Sequence, residues 1–171
     1  WVNQLVVGRS YRETKRIQTS SGTLKVAAGK IVANTLLIGW DYIDYCAAMK
    51  GTVEISGPTE LVVSNALTLG RFLKTDITNG FSSAKLEIRD GASVKVYGGL
   101  VSSFTDPDNF DNELSVSSAS LHVKGPLGPF LNCTLFNSTL SLDISTLLSP
   151  TTALCYVTNL TTITPITLNV A

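Results

Sequence analysis

The residues of this sequence that are richest in potential chemistry form an acidic stretch past its middle. Asp106, Asp108, Asp111 and Glu113 place four carboxylates within eight residues, and such hard oxygen ligands suit Ca²⁺. The spacing departs from that of an EF-hand, because Phe110 occupies a ligand position, the turn glycine is missing and the twelfth place lacks a glutamate. These departures favour a solvated acidic loop, with a calcium site as the alternative.

The sequence selects no pair of carboxylates for catalysis. Glycan-cleaving enzymes place two carboxylates across one bond, whereas Glu54 and Glu87 are single polar residues between apolar neighbours. His122 is the only histidine and lies on the polar side of Leu121-His122-Val123, with no nucleophile motif beside it. We therefore predict no catalytic residue, no cofactor and no enzymatic activity.

Three cysteines, Cys46, Cys133 and Cys155, lie far apart and form no CxxC pair. Zinc-finger and haem-attachment spacings are therefore absent. The favoured interpretation is that all three are small buried apolar side chains. A Cys133–Cys155 disulfide is the alternative, and it would require an oxidising compartment.

Charge and hydropathy narrow the classes of partner. Lys and Arg number 13 and Asp and Glu number 13, so no basic field attracts a nucleic acid or an anionic membrane. No apolar run reaches the roughly 20 residues that span a bilayer. With 44% hydrophobic and only 15% charged residues, the chain is expected to fold with a surface rich in Ser, Thr and Asn.

An apolar-polar-apolar triplet recurs along the chain and places two side chains on one face of a strand. Its four copies are Leu24-Lys25-Val26, Val53-Glu54-Ile55, Leu86-Glu87-Ile88 and Leu114-Ser115-Val116. A second short apolar run follows each copy, and turn residues such as Gly57-Pro58 and Asp90-Gly91 separate the two. The unit is thus two short strands joined by a turn, repeated about every 30 residues.

A third strand completes the unit in its first two copies, where residues 34–39 align with residues 65–70. One unit cannot bury its apolar face alone, whereas stacked units join their faces into one core. We therefore predict an all-β fold of parallel β-solenoid repeats with an irregular β-rich C-terminal part. Leu24, Val53 and Leu86 should lie above one another, with the polar residue of each triplet outside.

The repeats divide the chain into three parts. Residues 1–21 are interpreted as a lead-in or attachment segment, residues 22–124 as the β-solenoid repeats, and residues 125–171 as a C-terminal β-rich closing or assembly segment. We expect prolines to break this last part into short pieces, namely Pro126, Pro129, Pro150 and Pro165. The alternation of Ile163, Ile166, Leu168 and Val170 predicts a final strand with an uncovered edge.

Two segments resemble known families. One resemblance is to the β-solenoid passengers of bacterial surface adhesins and autotransporter-type proteins, and it is carried by Gly22–Val26 and Gly51–Ile55. Each of these segments is followed by an apolar run, which ends in Ile38-Gly39 and in Leu69-Gly70, respectively. Residues 153–161 with 166–168 are similar to closing segments of surface and phage fibre proteins of gut Bacteroidetes. The resemblance implies a fibre or adhesin, trimeric in phages, and it supplies no catalytic residues.

The expected function is that of a structural and interaction segment of an extracellular or virion fibre, either a phage tail or head fibre or a surface adhesin. It would mediate assembly and attachment outside the cell, at the cell surface or on a virion. The expected partners are further copies of the chain, in a homotrimer or filament, and a cell-surface glycan or receptor. Nucleic acid and membrane are not expected partners. The alternative is a carbohydrate-active β-solenoid enzyme, a glycan hydrolase or lyase.

Overall fold

The computed structural model describes residues 1–9, 19–40, 48–71, 82–102, 110–143, 145 and 155–171. These residues form thirteen strands and no helix, so the described part of the chain is all-β, as predicted. The strands are β1 (Val2–Arg9), β2 (Thr19–Val26), β3 (Gly29–Trp40), β4 (Ala48–Ile55), β5 (Thr59–Val63), β6 (Leu67–Arg71), β7 (Ser82–Arg89), β8 (Ser93–Val96), β9 (Leu100–Val101), β10 (Phe110–Ser117), β11 (Ser120–Lys124), β12 (Leu127–Asp143) and β13 (Cys155–Val170).

All strand pairings among the described residues are parallel, and they join the strands into three ladders. Ladder A consists of β2, β4, β7, β10, residues 132–136 of β12 and residues 159–163 of β13. Ladder B consists of residues 29–33 of β3, then β5, β8, β11, residues 139–143 of β12 and residues 167–170 of β13. Ladder C consists of β1, residues 35–40 of β3, β6, β9, residues 127–128 of β12 and Cys155.

The chain passes through ladders A, B and C in that order and then returns to ladder A one strand further along. We call each passage a rung. Rung 1 contains β2 and β3, and rung 6 contains residues 159–170 of β13. Strand β1 lies in ladder C beyond rung 1, where Leu5 pairs with Leu36. Residues 2–9, within the predicted lead-in segment, therefore belong to the same parallel stack as the repeats.

The predicted stacking of the triplets is confirmed. Leu24 pairs with Val53 and Val53 with Leu86, while Val26, Ile55 and Ile88 form the neighbouring row. Val53, Ile55, Leu86 and Ile88 of rungs 2 and 3 have no exposed surface. A parallel row in ladder C contains Leu5, Leu36, Leu67, Leu100 and Leu127. The rows meet in one hydrophobic core that runs along the stack.

The turns between ladders A and B lie at the predicted residues Gly57-Pro58 and Asp90-Gly91. Gly29, Gly57 and Gly91 have positive φ values of 96°, 61° and 86°, which a residue without a Cβ adopts at little cost. Asp90 and Ser118 adopt the same left-handed backbone at φ 58° and 49°. Short polar side chains tolerate this conformation better than apolar ones, so the sequence pattern of the turns has a direct conformational cause.

The expectation that prolines divide residues 125–171 into short pieces is wrong for the described residues. Strand β12 extends over 17 residues through Pro129, and β13 extends over 16 residues through Pro165. The register of the β12–β13 pairing shifts between Leu127 and Phe130 and again between Phe136 and Ser138. The two prolines lie at these corners between ladders, where a strand does not need to donate a ladder hydrogen bond.

Candidate interaction surface at the end of the stack

Strand β13 forms one end of the stack, which we call the β13 end. Its pairing with β12 extends over all three ladders, from Cys155 to Val170. Among the described residues no strand pairs with the opposite edge of β13. Such an edge presents a row of backbone N–H and C=O groups that another strand can bind.

Apolar side chains on the inner side of β13 are exposed although they occupy core positions. Leu160, Leu168 and Val170 pair with Cys133, Leu140 and Leu142 of β12, respectively. The three β12 residues are at most 6% exposed, whereas the three β13 residues are 54–60% exposed. The hydrophobic core therefore continues to the surface of the β13 end.

Charge distinguishes the two ends of the stack. Residues 155–171 contain no Asp, Glu, Lys or Arg. The other end, formed by β1, β2 and residues 29–33 and called the β1 end, has Arg9 on β1, Lys25 on β2 and Lys30 on β3. Like charges that face each other across two edge strands oppose their pairing. The described residues of β13 carry no charged side chain, so this edge repels neither a charged nor an uncharged strand.

Amide side chains form a ladder of hydrogen bonds along the outer side of ladder A. Asn132 Nδ2 donates to Asp111 Oδ1 at 3.1 Å, and Asn159 Nδ2 donates to Asn132 Oδ1 at 3.1 Å. On ladder B, Asn169 Nδ2 donates to Ser141 Oγ at 3.2 Å. The bonds donated by Asn159 and Asn169 join β13 to β12, and the bond donated by Asn132 joins β12 to β10. Sequence reasoning missed them, because the partners are more than 20 residues apart in the chain.

Two of the four proposed calcium ligands, Asp106 and Asp108, lie outside the described residues. Asp111 accepts the hydrogen bond from Asn132, and Glu113 forms an ion pair with Lys85 at 3.1 Å. The part of the chain that the structure describes contains no group of three or more His, Cys, Asp or Glu side chains that could hold a metal ion.

Asn112, between these two acidic residues, points into the stack and has no exposed surface. Its Nδ2 donates to Ser102 Oγ at 2.7 Å and to Pro129 O at 3.1 Å, while its Oδ1 accepts from the backbone N–H of Leu131. Asn112 thus binds the corner at which β12 passes from ladder C to ladder A. Because a buried amide must satisfy its donors and acceptor, this residue helps to specify the corner.

The other polar residues considered from the sequence lie on the outer side of the ladders. Glu54 pairs with Lys25 at 2.8 Å, and Glu87 lies within 3.6 Å of Lys85. His122 is half-buried on ladder B, with its ring centroid 6.2 Å from that of Tyr97. Cys133 is a buried free thiol and Cys155 an exposed one, and burial raises the pKa of Cys133 to about 12. Cys46 lies outside the described residues.

Glu60 lies on ladder B between Lys30 of the preceding rung and Lys95 of the following rung. Lys30 Nζ is 2.7 Å from Glu60 Oε2, and Lys95 Nζ is 2.7 Å from Glu60 Oε1. The hydrogen bonds from Lys30 and then Lys95 lower the pKa of Glu60 from its ordinary 4.5 to about 2. A lowered pKa means that this ion-pair stabilisation is present above about pH 4.5 and is lost as the pH falls through about 2.

We expect an NMR titration to place the pKa of the Glu60 carboxyl near 2 in the native chain. In the double variant Lys30→Ala, Lys95→Ala it should return toward 4.5, because both hydrogen-bond donors are removed. The variant Lys25→Ala, which removes the partner of Glu54 on ladder A, is the matched control and should leave Glu60 unchanged. A low Glu60 pKa that persists in the double variant would contradict this account.

Comparison with known proteins gives no relative. No family model matches the chain, and no curated protein or solved structure matches it. In the described residues no helix is long and apolar enough to cross a membrane.

Proposed function

We propose that the chain is a β-solenoid segment of an extracellular or virion fibre, a phage tail or head fibre or a surface adhesin, and that it mediates assembly and attachment. The observation that carries this proposal is the exposed end of a continuous core. The inner rows run in register through six rungs and end in Leu160, Leu168 and Val170, each more than half exposed. A surface of this kind is suited to binding another β-structure.

The solenoid interpretation is supported by the order in which the chain visits the ladders. Each strand of ladder A pairs in parallel with the strands one rung away, and the intervening residues supply ladders B and C. In a solenoid each repeat contacts mainly its neighbours, so stability is distributed along the stack. A stack whose stability is distributed in this way suits an extended structural element.

The ion pairs on the outer side support a structural role rather than glycan cleavage. A general acid requires a carboxyl with a raised pKa, whereas the two lysines beside Glu60 lower its pKa. Glu87 lies beside Lys85 and Arg89, and Glu113 beside Lys85. Each of these carboxylates therefore has a cationic partner on the outer side of the stack. We therefore propose that the outer carboxylates stabilise the stack and take no part in a reaction.

For attachment, we propose that the outer face of rungs 5 and 6 binds a neutral, polar partner. In ladders A and B these rungs present hydroxyl and amide groups at Asn132, Thr134, Ser141, Asn159 and Asn169. Such groups hydrogen-bond to neutral polar ligands, and we propose a cell-surface glycan or receptor as the ligand. Further copies of the chain, in a homotrimer or filament, are the proposed partners for assembly.

Deletion of residues 163–171 tests the assembly proposal. The deletion removes the ladder B segment of rung 6 and part of the exposed apolar row. We expect the intact chain to sediment as an oligomer and the truncated chain to sediment as a smaller species or to aggregate, since Leu140 and Leu142 lose their cover. Glu87→Ala, on the outer side of rung 3, is the control that should retain the oligomer. A monodisperse monomer both before and after the deletion would refute the proposal.

A further inference from the structure

We infer that the β13 end binds the β1 end of a second copy of this chain, head to tail and with parallel strands. The inference rests on the proposed role in assembly and specifies its interface. The candidate surface is the edge of β13 together with the exposed apolar residues Leu160, Leu168 and Val170. The occupant is the first rung of the partner copy, which consists of β2 and residues 29–33 with β1 above them.

The two ends have complementary steps. At the β1 end, β1 pairs with β3 from Ala33 to Trp40, whereas no described strand pairs with the corresponding edge of β2 or of residues 29–32. At the β13 end, ladders A and B extend one strand beyond Cys155, the last described residue of ladder C. A second copy placed head to tail would place β1 beside Cys155, β2 beside residues 159–163 and residues 29–33 beside residues 167–170.

The apolar rows also continue across this contact. Extending the register by one rung places Leu24 of the partner copy on Leu160, and Ile31 of the partner copy on Leu168. Leu24 and Ile31 pack against the core but remain partly exposed, because they lie in the first rung. The contact would bury the open cross-section of the core at both ends, and burial of apolar area is the main favourable contribution to such an association.

The charges at the two ends favour the head-to-tail contact over a contact between two β1 ends or between two β13 ends. Head to tail, Lys25 and Lys30 of the partner copy lie beside Thr161 and Thr167, which are uncharged. Two β1 ends facing each other would bring these lysines toward their own counterparts, which is unfavourable. Two β13 ends facing each other would oppose identical steps and leave ladder C unfilled. The head-to-tail contact alone continues the ladders that the chain itself forms.

Two charge substitutions test the β13 end and the β1 end separately. Leu168→Lys places a cation on the apolar surface of the β13 end, and Ile31→Lys does the same at the β1 end. Burying an unpaired charge at either surface should weaken self-association by about a hundredfold or more. We expect each variant alone to sediment as a monomer. A 1:1 mixture should form a dimer and nothing larger, since only the unaltered β13 end of one variant and the unaltered β1 end of the other can bind.

The outcomes distinguish the inference from the broader proposal. If Ile31→Lys alone still forms dimers, the contact joins two β13 ends, and the head-to-tail inference is overturned while assembly stands. If the unaltered chain is monomeric at every concentration, the assembly proposal fails with it. Far-UV circular dichroism must show native β-structure in both variants. Leu160→Lys and Leu24→Lys place the same charges on ladder A and should reproduce the complementation if either first variant fails to fold.

Discussion

Replacement of Leu86 by alanine should lower the free energy of unfolding by about 2–5 kcal/mol. Leu86 has no exposed surface and lies in the inner row of ladder A between Val53 of rung 2 and Leu114 of rung 4. Because its neighbours above and below belong to the same fixed ladder, the rungs cannot close around the lost atoms without breaking strand pairing. A cavity should therefore remain, and its cost adds to the loss of buried apolar area.

The matched control for this prediction is Glu87→Ala, one residue further along β7 on the outer side. Glu87 lies 3.6 Å from Lys85 and 3.5 Å from Arg89 in partly exposed ion pairs, and such pairs contribute about 0–1 kcal/mol. Urea denaturation followed by circular dichroism measures both variants against the unaltered chain. Equal losses for the two substitutions would mean that the inner and outer sides of ladder A are not distinguished as the structure has them.

The all-β class and the triplet rows were predictable because both depend on local alternation. In a strand, side chains alternate between two faces, so Leu24-Lys25-Val26 and its copies indicate which residues point inward. The internal repeat then indicates which rows stack. The register of Leu36 on Leu67 and of Ile38 on Leu69 agrees with the alignment of the third strands. A repeat of this kind converts a local pattern into a prediction about contacts 30 residues apart.

Strand β1 carries a signal that the repeat alignment did not include: Leu5–Gly8 has the same Leu-x-apolar-Gly pattern as Leu36–Gly39 and Leu67–Gly70. The other features that were missed have no repeated local pattern. The contact of Glu60 with both Lys30 and Lys95 depends on pairing between three strands. The corner at Asn112 depends on where β12 changes ladders. Each requires the register of distant strands, which single residues do not specify.

The candidate surface was partly predictable. The alternation from Ile163 to Val170 indicated a final strand with an uncovered edge, and the structure places β13 there with its outer edge unpaired among the described residues. The amide ladder through Asn132 and Asn159 was not predictable, because an asparagine in a Thr-rich segment has the same local signal whether or not it stacks on another. The stepped shape of the two ends follows only from the order of the ladders.

Gly51→Ala should destabilise the chain by about 3 kcal/mol or more, because ladders A and C come into backbone contact at this residue. A Cβ on Gly51 would lie 2.6 Å from Val7 O and 2.9 Å from Gly39 Cα, and it would also overlap Gly39 N. These atoms belong to the backbone of two ladder C strands, so no side chain can rotate away to make room. Relief requires separation of ladder C from ladder A, which would also open the core beside Val7.

Gly29→Ala is the control that separates steric overlap from the general cost of replacing glycine. Gly29 has φ 96°, yet a Cβ there would meet no atom within 4 Å. Its replacement should cost about 1–2 kcal/mol through backbone strain alone. Gly51 has no such left-handed backbone, so any larger loss at that residue reports the contact between the ladders. Thermal and urea unfolding of both variants measure the difference. A Gly51→Ala chain as stable as the Gly29→Ala chain would show that ladder C does not approach ladder A as closely as the glycines indicate.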